Sequence, residues 1–354
     1  MGTTKFCKKN VSLLEPYIPG YQPSAGEEVL KLNSNENPYP PSQRVLEALK
    51  DHVSNSLRLY PNSRSIELRQ KVADIYGVDQ QQVFCANGSD EVISLIFRTF
   101  ADENDYVLFS SPTYTFYKTA AEIHGIQHTF IESDDQFRIN LGDFLVVPSK
   151  ITFLANPNAH TGVLLPLKEI EEFIRKYPGL LVVDETYIDF ADSNQSVYPL
   201  VAKYNNLLVL RTFSKAFSLC GIRVGYAFGP PEIIEALDIT KDSYNIAYLN
   251  QIAAYYALDD YQYMLNNAVR IKEDREWFKN ELKKKGFNVL PSEGNFVLGC
   301  HAEFKAEKIT ESLKNQGILI RHINEPRLKE YIRISIGTHS QLERVLEALN
   351  DINI

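Results

Sequence analysis

The length, composition and charge of the chain are those of an ordinary globular protein. It has 354 residues, of which 44% are hydrophobic, enough for one large domain and a smaller one with separate cores. Its net charge is −8 and its lysines and arginines are scattered, which argues against nucleic acid or an anionic membrane as a partner.

Cysteine spacing and the N-terminal residues indicate the compartment. The four cysteines are far apart and include no Cys-x-x-Cys pair, so neither a metal site nor a disulfide framework is predicted. The segment MGTTKFCKKN lacks an apolar signal core, and no later apolar run approaches the length of a membrane span. We therefore expect a cytoplasmic protein with no bound metal ion and no membrane partner.

The elements predicted along the chain alternate in the way that is typical of an α/β protein. An irregular arm through about residue 42 leads into two amphipathic segments, QRVLEALKDHV and SIELRQKVADIYG. From residue 83 to about 230, helix-patterned segments alternate with short apolar runs such as YVLFSSP, ITFLANP, LLVVDE and LLVLRTFS. Strands separated by crossover helices predict a mostly parallel sheet.

The last third of the chain is predicted to form a second, smaller α+β domain. A helical stretch from about 231 to 286 leads to the strand-like segments FNVLPSEGNFVLG, ILIRHI and YIRISIG. The predicted division of the chain is an arm that also contributes to the small domain (1–42), a large domain (43–245), a connecting helical region (246–285) and a small C-terminal domain (286–354).

Three polar side chains are predicted to lie at the carboxyl ends of strands, where open α/β sheets bind ligands. They are Asn158 after ITFLANP, Asp184 after LLVV and Lys215 after LLVLRTFS. Tyr187 follows Asp184 by three positions. An aspartate in such a place equally often caps the next turn, so the carboxylate does not assign a chemistry on its own.

Two segments have the pattern of an anion site. In RTFSKAFSLCGIRVGY, the side chains of Thr212, Ser214 and Arg223 surround the lysine and suit an oxyanion or a phosphate. In NGSDE, Gly88 and Ser89 open a helix whose first backbone N–H groups are available to a phosphate. Taken singly, a solvated pair of cations and an ordinary serine N-cap explain these two segments equally well.

One cofactor requires all of these groups together. Pyridoxal 5′-phosphate (PLP) needs a lysine for its aldehyde, an acid for its ring nitrogen, a hydroxyl for its ring oxygen and an anion site for its phosphate. The acid keeps the ring nitrogen protonated, so that the ring accepts carbanion electrons, and the lysine moves protons at the substrate Cα. The sequence thus predicts PLP, with Lys215, Asp184 and Tyr187 as catalytic residues.

With these residues identified, the chain resembles the fold-type I, class I/II aminotransferases, and among them most closely those that act on histidinol phosphate. The resemblance covers nearly the whole length, in the segments LNSNENPYPP, RLYPN, NGSDE, SPTYTFY, VVDETYIDF, RTFSKAFSLCGIRVGY and YIRISIGT. It implies a large domain with a mostly parallel seven-stranded sheet between helices and a smaller α+β domain. It also implies a transaminase of histidine biosynthesis that converts L-histidinol phosphate and 2-oxoglutarate to imidazole acetol phosphate and L-glutamate.

The resemblance further implies roles for individual residues and a homodimer. The cofactor-binding residues that it implies are Gly88, Ser89, Asp90, Tyr114, Asn158, Asp184, Tyr187, Thr212, Ser214, Lys215 and Arg223, with Tyr60 of the partner subunit. Among these, Tyr114 would stack on the cofactor ring. The substrate-binding residues that it implies are Tyr17, Asn35, Arg321 and Arg333. Two arginines suit a phosphate or a carboxylate, although without the resemblance each would be taken for an exposed strand arginine.

One loop departs from the family pattern. The family usually has Asn-Pro-Thr-Gly after the strand ITFLANP, whereas this chain has NPNAHTG at residues 156–162, with Ala159 in place of the asparagine that contacts the cofactor. The loss of that hydrogen bond is expected to cost about 1 kcal/mol, and Asn158 is the nearest replacement. His160 takes the place of the usual proline, and we expect its side chain at the surface.

Two alternatives stay open beside the leading hypothesis. The same scaffold serves an aromatic-amino-acid aminotransferase or a threonine-phosphate decarboxylase, because substrate choice lies in loops that one sequence does not align. The altered loop also leaves open a PLP-binding homologue with weakened activity. The presence of Lys215, Asp184, Tyr187 and Arg223 argues against this second alternative.

Overall fold

The computed structural model describes residues 4–14, 21–24, 26–192 and 194–351. In this part of the chain the strands are β1 (Leu30–Lys31), β2 (Val83–Ala86), β3 (Tyr106–Ser111), β4 (Gln127–Glu132), β5 (Ile151–Ala155), β6 (Leu180–Asp184), β7 (Leu207–Thr212), β8 (Gly225–Phe228), β9 (Phe287–Val289), β10 (Phe296–His301), β11 (Ile318–Leu319), β12 (Arg321–His322) and β13 (Ile332–Ser335). The α-helices are α1 (Gln43–His52), α2 (Ile66–Tyr76), α3 (Ser89–Phe100), α4 (Phe116–His124), α5 (Leu141–Leu145), α6 (Leu167–Ile174), α7 (Pro231–Thr240), α8 (Tyr248–Asp259), α9 (Tyr261–Lys284), α10 (Ala306–Asn315) and α11 (His339–Ala348).

The largest sheet in the described residues has seven strands, in the order β2-β8-β7-β6-β5-β3-β4. The pairs from β7 to β4 are parallel, and β8 runs antiparallel to both of its neighbours. Parallel neighbours require crossover connections, which helices such as α4 and α6 provide. The mostly parallel seven-stranded sheet implied by the sequence is therefore present.

The central strands of this sheet are buried on both faces. In β6, Leu181 and Val183 belong to one apolar core, whereas Val182 between them belongs to a second core. Successive side chains of a strand point to opposite faces, so a strand covered on both sides is apolar throughout. The run LLVV is apolar throughout. Asp184, the polar residue that follows it, lies at the carboxyl end of the strand.

The C-terminal part forms a second sheet of four antiparallel strands in the described residues, ordered β12-β13-β10-β9. The arm joins this part of the molecule, because β1 pairs in parallel with β11, Leu30 opposite Ile318 and Lys31 opposite Leu319. The arm then continues to the carboxyl edge of the large sheet. Within the described ranges, no helix is both long and apolar enough to cross a bilayer.

Candidate active site

A cavity of about 150 Å³ opens at the carboxyl ends of β5, β6 and β7. These strand ends are neighbours because Ala155, the last residue of β5, pairs with Asp184, the last residue of β6. The lining of the cavity includes these residues named by the sequence analysis: Ser89, Asp90, Tyr114, Asp184, Tyr187, Thr212, Ser214, Lys215 and Arg223. Side chains from distant segments therefore share one space.

The amine of Lys215 enters the cavity from the turn after β7. Its Nζ donates a hydrogen bond of 3.1 Å to the backbone oxygen of Ser34 and lies 5.8 Å from the ring centre of Tyr187. The turn itself is fastened by Asn37, whose Nδ2 donates to the backbone oxygens of Lys215 and Ala216 at 3.0 and 3.1 Å. Asn37 of the arm thus positions the backbone of Lys215, while the amine itself is held by a weak contact, a hydrogen bond to the backbone oxygen of Ser34.

The carboxylate of Asp184 is buried at the floor of the cavity. Its Oδ2 accepts a hydrogen bond of 2.6 Å from the hydroxyl of Tyr117, and its Oδ1 accepts one of 3.0 Å from the backbone N–H of Thr186. Burial raises the pKa of this carboxyl, and the hydrogen bonds from Tyr117 and Thr186 act against that rise. A buried carboxylate of this kind is stabilised further by a cation that enters the cavity.

Tyr187 is fixed by residues from the arm and the second sheet. Its hydroxyl accepts a hydrogen bond of 3.0 Å from Nδ2 of Asn35. The hydroxyl of Ser335, at the end of β13, donates to Oδ1 of Asn35 at 3.1 Å. The same hydroxyl accepts a hydrogen bond of 2.8 Å from the backbone N–H of Asn35. Asn35, which the resemblance assigns to substrate binding, is buried and orients the phenol in this structure.

Hydroxyl groups and a guanidinium form one wall of the cavity. The Thr212 and Ser214 hydroxyls are 3.0 Å apart, and Nη1 of Arg223 donates to Oγ of Ser214 at 3.2 Å. On its other side, Nη2 of Arg223 donates to Oδ2 of Asp90 at 3.3 Å, and Oδ1 of the same carboxylate accepts a bond of 3.0 Å from the hydroxyl of Tyr114. Asp90 therefore holds both Arg223 and Tyr114 in place.

Two glycines allow this wall to close on the start of helix α3. A Cβ on Gly225, the first residue of β8, would lie 2.5 Å from the backbone nitrogen of Ser89. A Cβ on Gly88, where φ is +83°, would lie 2.8 Å from Nη2 of Arg223. Only glycine leaves the N–H groups at the helix start, the guanidinium and the hydroxyls so close together, which is the donor set of a phosphate site.

The residues around the cavity fit PLP. An amine faces the space from one turn, a buried carboxylate and a phenol stand at the end of the neighbouring strand, and the glycine-lined cradle suits a phosphate. The positive ring nitrogen of the cofactor is the kind of cation that a buried Asp184 requires.

The altered loop differs from the expectation in two ways. Asn158, the expected replacement for the missing asparagine, uses its side chain in backbone contacts: Nδ2 donates to the backbone oxygen of Pro112 at 2.8 Å, and Oδ1 accepts from the backbone N–H groups of His160 and Thr161, both at 3.0 Å. The prediction that His160 lies at the surface is wrong, because the residue is only 9% exposed. Arg333 of β13 donates to Ala159 in this loop, and Glu325 after β12 lies near His160, contacts that the local sequence does not reveal.

The two predicted substrate arginines stand opposite each other. Arg321 of β12 pairs directly with Arg333 of β13 in the antiparallel register. Nη1 of Arg333 donates 3.0 Å to the backbone oxygen of Ala159, a residue that lines the cavity. Like charges directly opposite each other in a sheet are unfavourable, so the pair is suited to an anion that neutralises it.

Two tyrosines predicted to contribute to the site lie elsewhere. Tyr60 is 80% exposed and stacks on Tyr244 with 4.4 Å between ring centres, and neither ring lines the cavity. Its predicted role concerns the partner subunit, to which such an exposed ring is accessible. Tyr17 lies outside the described residues.

Sequence reasoning missed several residues of the site. Tyr117, which bonds Asp184, lies in the matched segment SPTYTFY three positions after Tyr114, and this spacing at the start of a helix was the available signal. Asn37 lies in the matched segment LNSNENPYPP, but its contact with the lysine turn spans 178 residues of sequence. Cys220 also lines the cavity, and its position in the lysine segment was the available sign.

Comparison with known proteins identifies the family. The family model of class I and II aminotransferases matches residues 27–349. The chain belongs to the class I and II aminotransferases. This membership confirms the family recognised from the sequence, the fold class and the prediction of a PLP-dependent transaminase.

Relatives within the aminotransferase family match almost from end to end. The chain is 42% identical to the histidinol-phosphate aminotransferase of Geotalea daltonii over 347 residues, 98% of this chain and 99% of the relative. It is 40% identical to histidinol-phosphate aminotransferase 1 of Hydrogenovibrio crunogenus over 353 residues, 99% of this chain and 98% of the relative. The crystal structure of histidinol-phosphate aminotransferase from Sinorhizobium meliloti, in complex with PLP, superposes with a TM-score of 0.90 at 23% identity, covers 99% of both chains and shows the common fold.

Proposed function

We propose that the protein transfers the amino group of L-histidinol phosphate to 2-oxoglutarate, giving imidazole acetol phosphate and L-glutamate in histidine biosynthesis. The observation that carries this proposal is the opposed pair Arg321 and Arg333 beside the cavity. One substrate brings a phosphate and the other brings carboxylates, and a pair of guanidinium groups binds either anion through parallel N–H donors. The names of the relatives at about 40% identity support the same substrate.

The groups around the cavity divide the work of holding the cofactor. Bound PLP supplies an electron sink for the negative charge that develops at the substrate Cα. Asp184 would pair with the ring nitrogen, and Tyr187 would donate to the ring oxygen from the position that Asn35 maintains. The hydroxyls of Thr212 and Ser214, which contact each other, and Arg223, which donates to Ser214, would bind the phosphate.

Lys215 carries the proton at the reacting carbon. Its Nζ reaches the cavity from the turn that Asn37 fastens and donates to the backbone oxygen of Ser34, a contact that the amine can give up at little cost. An amine on a fixed turn takes the proton from one position and returns it to another with little reorganisation. The amino donor and the 2-oxo acid use the same arginine pair, which places the reacting carbon of each near Lys215. The same base therefore serves both half-reactions.

The predicted homodimer is part of the proposal. Exposed apolar side chains cluster where Tyr60 stacks on Tyr244, and Leu57 and Leu59 beside them are also exposed. Exposed apolar and aromatic side chains at neighbouring positions are typical of a protein interface. We propose that it meets a second copy and that Tyr60 reaches the PLP phosphate of that copy. Sedimentation at micromolar concentration should then give the mass of two chains.

The predicted division of the chain and its location belong to the same proposal. The seven-stranded sheet spans residues 83–228 and falls within the proposed large domain (43–245), and the four-stranded sheet spans 287–335 and falls within the proposed small domain (286–354). The arm (1–42) and the connecting region (246–285) complete the division. We propose a cytoplasmic enzyme, in keeping with unpaired cysteines in the described residues.

A spectrum of the purified enzyme with PLP tests the function. L-Histidinol phosphate should change the visible absorption of the bound cofactor, and 2-oxoglutarate should restore it. L-Phenylalanine and L-threonine phosphate serve as parallel amines and should leave the spectrum unchanged. A response to L-phenylalanine alone would identify an aromatic transaminase, and release of carbon dioxide from L-threonine phosphate would identify the decarboxylase. Absence of any cofactor band with added PLP would contradict the cofactor assignment.

A further inference from the structure

The altered loop places His160 next to Ala159, whose backbone oxygen accepts a hydrogen bond of 3.0 Å from Nη1 of Arg333. His160 lies in the loop after β5 and its side chain is buried. Neither ring nitrogen has a hydrogen-bond partner among the described residues. The backbone of Thr113 favours the protonated ring and so opposes the fall in its pKa. The nearest acidic group is Glu325, whose Oε1 is 4.0 Å from Nε2. A buried ring nitrogen without a hydrogen-bond partner lowers the stability of the protein unless a ligand bonds to it.

The surroundings of His160 keep the ring neutral. Burial is the largest cause, followed by the positive charge of Arg333, and Arg321 adds to it; together they lower the pKa of His160 to about 3. A neutral imidazole has one N–H donor and one nitrogen acceptor. At neutral pH, His160 therefore offers an uncharged donor at a place where two cations already attract an anion.

We propose that His160 is a substrate-selecting residue that donates a hydrogen bond to the phosphate of the substrate held by Arg321 and Arg333. The inference rests on the proposed function, because the phosphate is that of the amino donor. It gives a chemical role to a residue that takes the place of a proline in the family pattern. The role concerns binding and choice of substrate and leaves the proton transfer to Lys215.

The number of oxygens on each anion explains why His160 selects phosphate. A carboxylate has two oxygens, which the parallel N–H groups of one arginine satisfy. A phosphate monoester has three free oxygens and close to two negative charges, so it gains more from a third donor. His160 would add that donor from the loop that Arg333 contacts, since Nη1 of Arg333 donates to the backbone oxygen of the adjacent Ala159. The phosphate substrate should therefore depend on His160 more than glutamate or 2-oxoglutarate does.

A purely structural role for His160 is the competing explanation. His160 belongs to the large-domain loop and Glu325 follows β12, so their proximity contributes to packing between the two parts. Loss of packing alone would weaken both substrates by similar factors and lower the thermal stability. Loss of a phosphate donor would weaken L-histidinol phosphate selectively. The ratio of kcat/KM for the two amino donors separates these explanations.

The test compares His160→Phe, which removes the donor, with His160→Gln, which retains an N–H group. Steady-state kinetics on the PLP-loaded enzyme, measured in both directions of the transamination, give kcat and KM for L-histidinol phosphate and for L-glutamate. We expect His160→Phe to raise KM for L-histidinol phosphate about 10-fold with kcat little changed, the loss typical of a hydrogen bond to a charged group. KM for L-glutamate should change less than about 3-fold, and His160→Gln should recover most of the loss.

A matched control is available at His124, a half-buried histidine at the end of α4 that stacks on Phe97 away from the cavity. His124→Phe should leave both kinetic constants unchanged. Equal losses for both amino donors in His160→Phe, or no loss for either, would overturn the assignment. These outcomes differ from failure of the proposed function, in which the wild-type enzyme itself does not use L-histidinol phosphate.

Inorganic phosphate gives a second measurement that does not depend on turnover. Bound PLP occupies the cradle near Arg223, so added phosphate reports on the arginine pair. Titration calorimetry with PLP-loaded enzyme should show about 10-fold weaker phosphate binding by His160→Phe than by the wild type. Equal affinities in the two proteins would overturn the inference, whichever amine the enzyme uses.

Discussion

The hydroxyl of Tyr117 donates a hydrogen bond of 2.6 Å to Oδ2 of Asp184, so a residue of helix α4 supports the carboxylate at the end of β6. Both groups are buried, and the bond opposes the effect of burial on the carboxyl pKa. Because Asp184 is proposed to hold the ring nitrogen of PLP, Tyr117 acts on the chemistry through Asp184. It is a positioning residue.

Tyr117→Phe should lower kcat and move the acidic limb of the pH profile. The pKa of Asp184 is already raised by burial, and removal of one opposing hydrogen bond raises it further. The carboxylate is then lost at a higher pH as the solution is acidified, so the acidic limb of kcat/KM should shift to higher pH. We expect kcat near neutral pH to fall about 10-fold, measured from steady-state rates across pH 5 to 9.

Tyr177→Phe is the matched control for this experiment. Tyr177 is also a buried tyrosine whose hydroxyl bonds Ser149 and Thr152, but it lies at the opposite end of β5. Its loss should cost stability and leave the pH profile unmoved. Identical profiles for Tyr117→Phe and the wild type would show that the bond does not tune Asp184.

Gly225→Ala should weaken PLP binding by closing the cradle. The added Cβ would lie 2.5 Å from the backbone nitrogen of Ser89, and backbone atoms cannot move aside as a flexible side chain does. The start of helix α3 must therefore shift away from Arg223. We expect PLP affinity to fall at least about 10-fold, the loss of one charged hydrogen bond, measured by equilibrium dialysis of the cofactor.

Gly221→Ala supplies the control for the cradle, because a Cβ there meets no atom within 4 Å. It lies in the same turn region as Gly225, yet it should retain wild-type cofactor affinity. If both variants bind PLP alike, the close approach of β8 to α3 does not determine phosphate binding.

Replacement of Lys215 should abolish turnover, whereas replacement of Arg223 should chiefly weaken retention of PLP. Lys215→Ala removes the amine proposed to bond the cofactor aldehyde, so turnover and the lysine-dependent visible absorption should both be lost. Arg223→Ala leaves the amine in place and removes a donor to Ser214, so it should chiefly weaken PLP retention, by about 10-fold or more. Spectra before and after gel filtration measure both effects.

Lys241→Ala is the control for the lysine experiment. Lys241 bonds the backbone oxygen of Ser63 and does not line the cavity. Its replacement should leave the cofactor spectrum and the turnover intact. Residual turnover above background in Lys215→Ala would require another proton carrier for the reaction.

Stability should depend on pH through His160. Burial and the nearby arginines lower the folded-state pKa to about 3, whereas an unfolded chain has a histidine pKa of about 6.5. Below about pH 6.5 the unfolded chain takes up a proton that the folded protein does not. The contribution of the neutral ring to stability is therefore fully present above pH 6.5 and is lost progressively as the pH falls towards 3.

Comparison of the wild type with His160→Gln measures this effect. Their difference in unfolding free energy should change by up to about 1.4 kcal/mol per pH unit below pH 6.5, with the wild type losing more. Thermal unfolding midpoints at pH 7.5, 6.5, 5.5 and 4.5 would show the curves converging or crossing. Parallel curves would mean that the ring is protonated in the folded protein near its ordinary pKa.

Local sequence pattern was sufficient for the elements whose burial depends on their own residues. LLVV and LLVL are continuous apolar runs, which predicted buried parallel strands and hence the common edge where Asp184 and Lys215 lie. Gly88 and Ser89 of NGSDE predicted the start of a helix, and helix α3 begins at Ser89. Contacts between distant segments are not indicated by any local sequence pattern.

The sequence by itself determined the family, the sheet and the ordered set of polar groups at the strand ends. Only the tertiary structure decided that Tyr117 bonds Asp184, 67 residues away, and that the side-chain amide of Asn158, in the loop after β5, donates to the backbone oxygen of Pro112. It also decided that His160 is buried, because strands more than 150 positions later in the chain pack against that loop. The physical reason is that hydrophobic periodicity reports the face that each element buries, whereas pairs of side chains form only when the elements assemble.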